Sequence, residues 1–136
     1  MKLFSIWLGL TLASFGLLGG AYHLHLSDTP RRVLVVVDSS FSMQSVWRQV
    51  PGILDDIASI PYAEFSLVSE KVKVHSWSKK PDLRQTSPFA PRNFARLKGS
   101  NRYAEITNAS EVHLISNAGN DEISNFNGWI IHRLKP

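Results

Sequence analysis

The pattern of apolar and polar positions divides the chain into three parts. Across residues 3–21 no charge interrupts an apolar run without a polar face, which argues against a surface-lying amphipathic helix and is long enough to cross a bilayer. The same stretch also reads as a signal peptide, with Lys2 as its positive end and Gly19-Gly20-Ala21 as the small residues a peptidase would cut after. Its length exceeds the usual cleavable apolar region and favours an uncleaved anchor. Residues 22–32 contain His23, His25, Asp28 and Pro30 without an apolar period and are expected to form a short linker. The two histidines there read as interfacial residues rather than as metal ligands.

From residue 33 the period changes. Residues 33–37 form a continuous apolar run of strand length, the pattern of a central strand in a parallel sheet covered on both faces. Val46, Val50, Ile53, Leu54, Ile57 and Ile60 follow at helical spacing; Pro51-Gly52 predicts a kink or break within the stripe, and Pro61 closes it. Residues 65–68 and 72–77 flank Glu70-Lys71 as the two strands of a hairpin. Residues 79–98, with Pro81, Pro88 and Pro91, predict a long loop containing one helical turn near residues 94–97. A brief helix around Tyr103 and Ile106, a buried-type strand over 112–115 and a last strand over 129–134 complete the order. Alternation of this kind predicts one α/β domain over residues 33–136, built on an open, mostly parallel, Rossmann-like sheet with one antiparallel strand.

Composition narrows the function classes. With 136 residues and 43 % hydrophobic content the chain supports one modest core. A net charge of +4 is drawn from only 19 % charged residues, with no basic strip interleaved with aromatics, so nucleic acid is not expected as a partner. The absence of cysteine excludes disulfides, zinc–thiolate sites, thiol catalysis and lipid attachment through sulfur.

In an open α/β sheet ligands gather beyond the carboxyl ends of the strands. Three polar segments fall there: residues 38–42, 99–101 and 116–121. They offer oxygen ligands and no thiolate, the chemistry of a hard cation such as Mg²⁺. Asp38-Ser39-Ser40-Phe41-Ser42-Met43, directly after the first strand, resembles the D-x-S-x-S pattern of the metal-ion-dependent adhesion site (MIDAS) in von Willebrand factor A (VWA) domains. Gly99-Ser100-Asn101-Arg102-Tyr103-Ala104-Glu105-Ile106 is similar to the family's G-T-N-x-x-x-A-L element, and Val112-His113-Leu114-Ile115-Ser116-Asn117 to its strand ending in T-D-G. The hairpin over residues 65–77 has its counterpart as well.

The resemblance implies a short VWA-type fold and a metal set. Ser40, Ser42 and Ser100 would give hydroxyl oxygens, Asp38 would act directly or through water, and Asn117 stands where the family has its second acid. The implied cation is Mg²⁺, with Mn²⁺ or Ca²⁺ as alternatives. Asn117 departs from the pattern, because a neutral amide holds a divalent ion less firmly than a carboxylate; Asp121, four residues on, substitutes if the loop folds back. Beside this stands a plain structural reading, in which Asp38, the serines and Ser100 are helix caps and Asn117 is a turn residue. The chain closes on the last strand without the family's final helix, and the Asn/Gly-rich segment before Trp129 is short, so one face of the sheet is expected to be thinly covered and open to a partner or the membrane.

The function implied is a non-enzymatic, membrane-anchored or exported module that recognises a protein partner through a metal-bridged acidic side chain. The alternative is a degenerate scaffold or assembly subunit that binds no metal, favoured by Asn117. Charges on both sides of residues 3–21 oppose one another and leave topology open; a domain facing the periplasm is the expectation. Enzymatic readings lack their residues. Ser40 stands where a haloacid-dehalogenase phosphatase needs a second aspartate, and no G-x-S-x-G elbow, P-loop or dinucleotide fingerprint is present. His75, His113 and His132 fall in predicted strands as packed or surface residues. Asn108-Ala109-Ser110 matches a glycosylation acceptor, a motif that chance supplies often.

Overall fold

A computed structural model describes residues 2–98 and 102–136, in two units that divide after Pro30. The first unit is one helix, α1 (Lys2–Asp28), whose large apolar side chains are exposed from Leu3 to Leu24, with Leu26 half-buried. The helix runs through residues 22–28, where a linker was expected, because nothing in Tyr22-His23-Leu24-His25-Leu26-Ser27-Asp28 breaks it. The Ser27 and Thr29 hydroxyls donate back to the carbonyls of His23 (2.9 Å) and His25 (2.8 Å), and Pro30 ends the run. Only Thr29 and Pro30 separate α1 from the first strand.

The second unit is an α/β domain on a five-stranded sheet. Its strands are β1 (Arg31–Val37), β2 (Ala63–Ser69), β3 (Lys73–Ser78), β4 (Glu111–Ser116) and β5 (Ile130–Arg133), in the order β3-β2-β1-β4-β5. All neighbours are parallel except β2 and β3, which form the expected hairpin. β1 lies at the centre, fully buried from Val33 to Val37, as its unbroken apolar run requires.

Alternate residues of β1 feed two cores. Val33, Val35 and Val37 pack under α2 (Val50–Ala58) against Val50, Leu54, Ile57 and Met43. Two 3₁₀ turns, Phe41–Met43 and Trp47–Gln49, carry the chain from β1 to α2, and Pro51 falls in the first helical turn, where its missing N–H is not needed. The expected break is therefore real and lies just ahead of the proline.

Leu34 and Val36 face the other way, into a core closed by Phe94, Leu97, Tyr103, Ala118 and Phe126. This face is covered, contrary to the expectation of a thin one. The cover consists of one-turn helices, α3 (Ala95–Lys98), α4 (Ala104–Asn108) and α5 (Asn120–Ile123), with the loops between them. Large side chains substitute for helix length: Phe94 meets Phe126 edge-on at 5.5 Å and Phe126 meets Trp129 at 4.6 Å.

β1 and β4 are adjacent and parallel, yet the chain leaves β1 toward the α2 face and leaves β4 toward the α5 face. Their carboxyl ends thus form the switch point of the sheet, where diverging loops open a crevice.

A candidate oxygen-lined site closed by an arginine

Asp38 is the first residue past β1, and its backbone N–H continues the ladder by donating to the Ile115 carbonyl at 2.9 Å. Its carboxylate is completely buried. Oδ1 accepts from the Ser40 N–H (3.0 Å), which folds the loop into a tight turn; Oδ2 accepts from the Ser116 hydroxyl (2.6 Å) at the end of β4. The Ser40 and Ser42 hydroxyls lie 2.8 Å apart, and Ser42 Oγ is 3.3 Å from Asn117 Oδ1. Asn117 is locked across the crevice by donating from Nδ2 to the Ser42 carbonyl at 2.6 Å. Asp38, Ser40, Ser42 and Asn117 therefore converge, as their positions in the sequence led us to expect. Ser100 lies outside the described residues. Asp121 is exposed on α5, and the residue after it enters the site instead.

The centre of this ring is filled by Arg92, from the proline-rich segment ahead of α3. Its Nε donates to Asp38 Oδ2 at 2.8 Å, one terminal nitrogen to Glu122 Oε2 at 2.8 Å, and the other to Ser42 Oγ at 2.7 Å and to Asn117 Oδ1. The arginine side chain is 16 % exposed and Glu122 49 %. Glu122 also accepts from the Gly119 N–H at 3.3 Å, which closes the first turn of α5.

A second buried carboxylate supports the floor. Glu70, in the β2–β3 turn, is fully buried; its Oε2 accepts from the N–H (2.9 Å) and hydroxyl (3.2 Å) of Ser39, and its Oε1 pairs with Lys71. Each acid in the site thus has a cation and a hydrogen-bonded loop around it, the condition for keeping a carboxylate out of water.

This donor set does not fit a divalent ion in the arrangement seen. Mg²⁺ takes about six oxygens at about 2.0–2.1 Å. Oδ2 of Asp38, Ser42 Oγ and Asn117 Oδ1 already accept from one guanidinium. A unit charge repels another at 4 Å by about 4 kcal/mol at an effective dielectric of 20, so a divalent ion beside Arg92 faces about twice that. Among the described residues no group of three His, Asp or Glu side chains is placed to share a metal.

The serine hydroxyls of the ring face one another, Asp38, Asn117 or Arg92, and among the described residues none of them meets an imidazole. The three histidines on strands have partners of their own. His75 Nε2 accepts from the Asp82 N–H at 3.0 Å, while His113 and His132 stack across β4 and β5.

Arg92, Glu122 and Glu70 are the site residues that sequence reasoning did not identify, and Ser116 is legible there only as part of the polar segment 116–121. Ser116 directly follows a predicted strand, while Glu70 carries a weaker signal as a turn residue between two predicted strands. Arg92 carries none: it lies 54 residues from Asp38 in a segment without period. Comparison with protein-family models, with curated proteins and with solved structures finds no match for this chain.

Proposed function

We propose that this chain is a membrane-anchored, non-enzymatic binding module of VWA type in which the Arg92 guanidinium replaces the divalent cation. The observation that carries the reading is the set of four partners, Asp38, Ser42, Asn117 and Glu122, held by one side chain at the sheet's switch point. A neutral Asn117 is consistent with it, because a singly charged guanidinium needs less compensating charge than a divalent ion. The apolar length of α1 and the exposure of its apolar run over residues 3–21 support attachment to a membrane, either as an anchor or as an export signal. On this reading the module keeps the loop geometry of an adhesion site while presenting a surface that needs no metal.

Thermal melting of the full-length protein in detergent, with Mg²⁺ and with EDTA, tests it. The wild type is expected to melt at the same temperature in both. In Arg92→Ala the Asp38 charge is left buried without its cation, at a cost on the order of 3 kcal/mol, and added Mg²⁺ is expected to recover part of the loss by occupying the vacated oxygens. A wild-type melting temperature that rises with Mg²⁺ and falls with EDTA overturns the reading and restores the metal-bound site as its replacement; that measurement decides even if the variant does not fold.

A further inference from the structure

Beside the arginine-closed ring, the same end of the domain exposes an apolar ridge. Val72, in the β2–β3 turn, and Phe89, in the proline-rich segment, are 48 % and 42 % exposed. Two open pockets meet at this ridge and share both residues as walls, one of about 470 Å³ and one of about 520 Å³. The first is flanked by Lys73 and Arg84, the second by Lys71, Arg92 and Arg96, and no acidic residue lines either. β3 is the edge strand of the sheet, and among the described residues no further strand covers this flank.

The ridge is held in place. Phe89 donates its N–H to the Ser39 carbonyl at 2.7 Å and Ala90 accepts from the Phe41 N–H at 3.0 Å, which clamps the segment to the loop that carries Asp38. Ala90 sits in the left-handed region (φ 62°), a conformation that a non-glycine residue keeps only where its surroundings fix it. The Lys71 ammonium lies 4.8 Å over the Phe89 ring.

Charge selects the occupant. Nine of the fifteen lysines and arginines but a single acid, Asp82, fall within residues 71–104. The four acids that reach this region from outside, Asp38, Glu70, Glu105 and Glu122, leave about half of that surplus uncompensated. We infer that the Val72–Phe89 ridge and its two basic pockets form the docking cleft for an extended, acidic protein segment that carries an apolar side chain. The apolar residue packs on the ridge, while acidic side chains on either side reach Arg84 and Arg96. A lipid surface is the poorer occupant, because two discrete pockets around one ridge fit separate side chains. The inference rests on reading the domain as a binding module and supplies the chemistry of its partner.

The test uses the full-length protein in nanodiscs of zwitterionic lipid and fluorescence anisotropy with three short labelled peptides. One is glutamate-rich with a central Phe-Leu pair; the second replaces its glutamates with lysine; the third replaces Phe-Leu with Ser-Ser. The first is expected to bind, more weakly as salt rises, and the other two to bind at least about tenfold more weakly. Arg84→Glu/Arg96→Glu and Phe89→Ser are each expected to weaken the first peptide by at least about tenfold, with melting temperatures near wild type, whereas Arg48→Glu, outside the cleft, leaves it unchanged. The inference is overturned if no peptide binds, if the Ser-Ser peptide binds as well as the first, if the cleft variants bind normally, or if vesicles of anionic lipid bind the protein where the first peptide does not. Repeating the titration in EDTA separates this inference from the metal-free reading: chelator-sensitive peptide binding sinks the latter and leaves the cleft standing.

Discussion

Arg92 serves four acceptors with one rigid planar group, and that geometry is the reason lysine is a poor substitute. A lysine ammonium keeps the charge but has three donors on a single atom and cannot span Asp38, Glu122, Ser42 and Asn117 at once. Arg92→Lys is expected to lose about 1–3 kcal/mol through the hydrogen bonds to charged and buried partners that go unmade. Urea unfolding should show this as a lower midpoint at unchanged slope; a midpoint equal to wild type would mean that the guanidinium is held by charge alone. The same residue marks the limit of what the sequence discloses. Asp38, Ser40, Ser42 and Asn117 are legible as a site because they sit at strand ends, where local pattern predicts position. Arg92 is invisible by that logic. Its segment has no period, and its role arises only once the 86–93 stretch is folded over the Asp38 loop, a tertiary fact that no local signal encodes.

At the level of elements, strands and the main helix are legible because burial on one or both faces imposes a period, and β1, β2, β4 and α2 appear where their apolar residues put them. The covering of the second face was not legible, since isolated Phe94, Leu97, Tyr103, Phe126 and Trp129 have no common period and act together only in three dimensions. The edge strand β5 is a further case. Four residues long and paired only with β4, it is tied by His132, whose Nε2 lies 2.8 Å from His113 Nδ1, while His113 Nε2 faces Glu111 Oε1 at 2.7 Å. Burial, then the neighbouring His113, holds the His132 pKa below its ordinary value, although Asp56 pulls the other way. The unfolded histidine takes up its proton near pH 6.5, before the folded one does, so stability is retained above that pH and lost as pH falls below it. Glu105 adds nothing in this range: burial pushes its carboxyl up, but the Lys73 hydrogen bond, its own backbone amide and the Lys73 charge outweigh that and hold it below 4.5, so its contribution is lost only in stronger acid. Between about pH 7.5 and pH 5.5 the melting temperature should therefore fall, and the fall should be shallower in His132→Asn. Amide exchange, corrected for its intrinsic pH dependence, should increase first in Ile130–Arg133 while α2 stays protected. An equal slope in the variant would remove His132 as the cause.

For the molecule as a whole, the physical question is what the 27 residues of α1 do, since none of their large apolar side chains finds a core. Nineteen of them, residues 3–21, are uncharged and, at 1.5 Å per residue, span about 28 Å, close to the roughly 30 Å hydrocarbon thickness of a bilayer. The two helical turns beyond, with Tyr22, His23, His25 and Asp28, have the amphipathic composition of the headgroup region. This match of lengths argues for an uncleaved span more strongly than apolarity alone, because a cleaved signal has no need of a helix that continues seven residues past its small-residue segment. An anchored chain stays in the membrane fraction through alkaline washing, is released by detergent, and has the full mass of 15.3 kDa; a cleaved one appears in a soluble fraction, shorter by about twenty residues. A charge at the helix centre sharpens the comparison. Leu10→Arg costs about 2.5–3.5 kcal/mol of insertion free energy on translocon scales, and Leu10→Arg/Leu12→Arg about twice that, so the double variant should leave the membrane fraction under the anchor reading. If the wild type is already found shortened and soluble, the anchor is gone but Arg92, its four partners and the Val72–Phe89 ridge are untouched, because every contact that builds them lies within residues 31–136. Under the anchor reading the helix matters instead to encounter: confinement to a membrane raises the effective concentration toward a partner held in the same plane without any new contact, which favours a salt-sensitive cleft of the kind proposed.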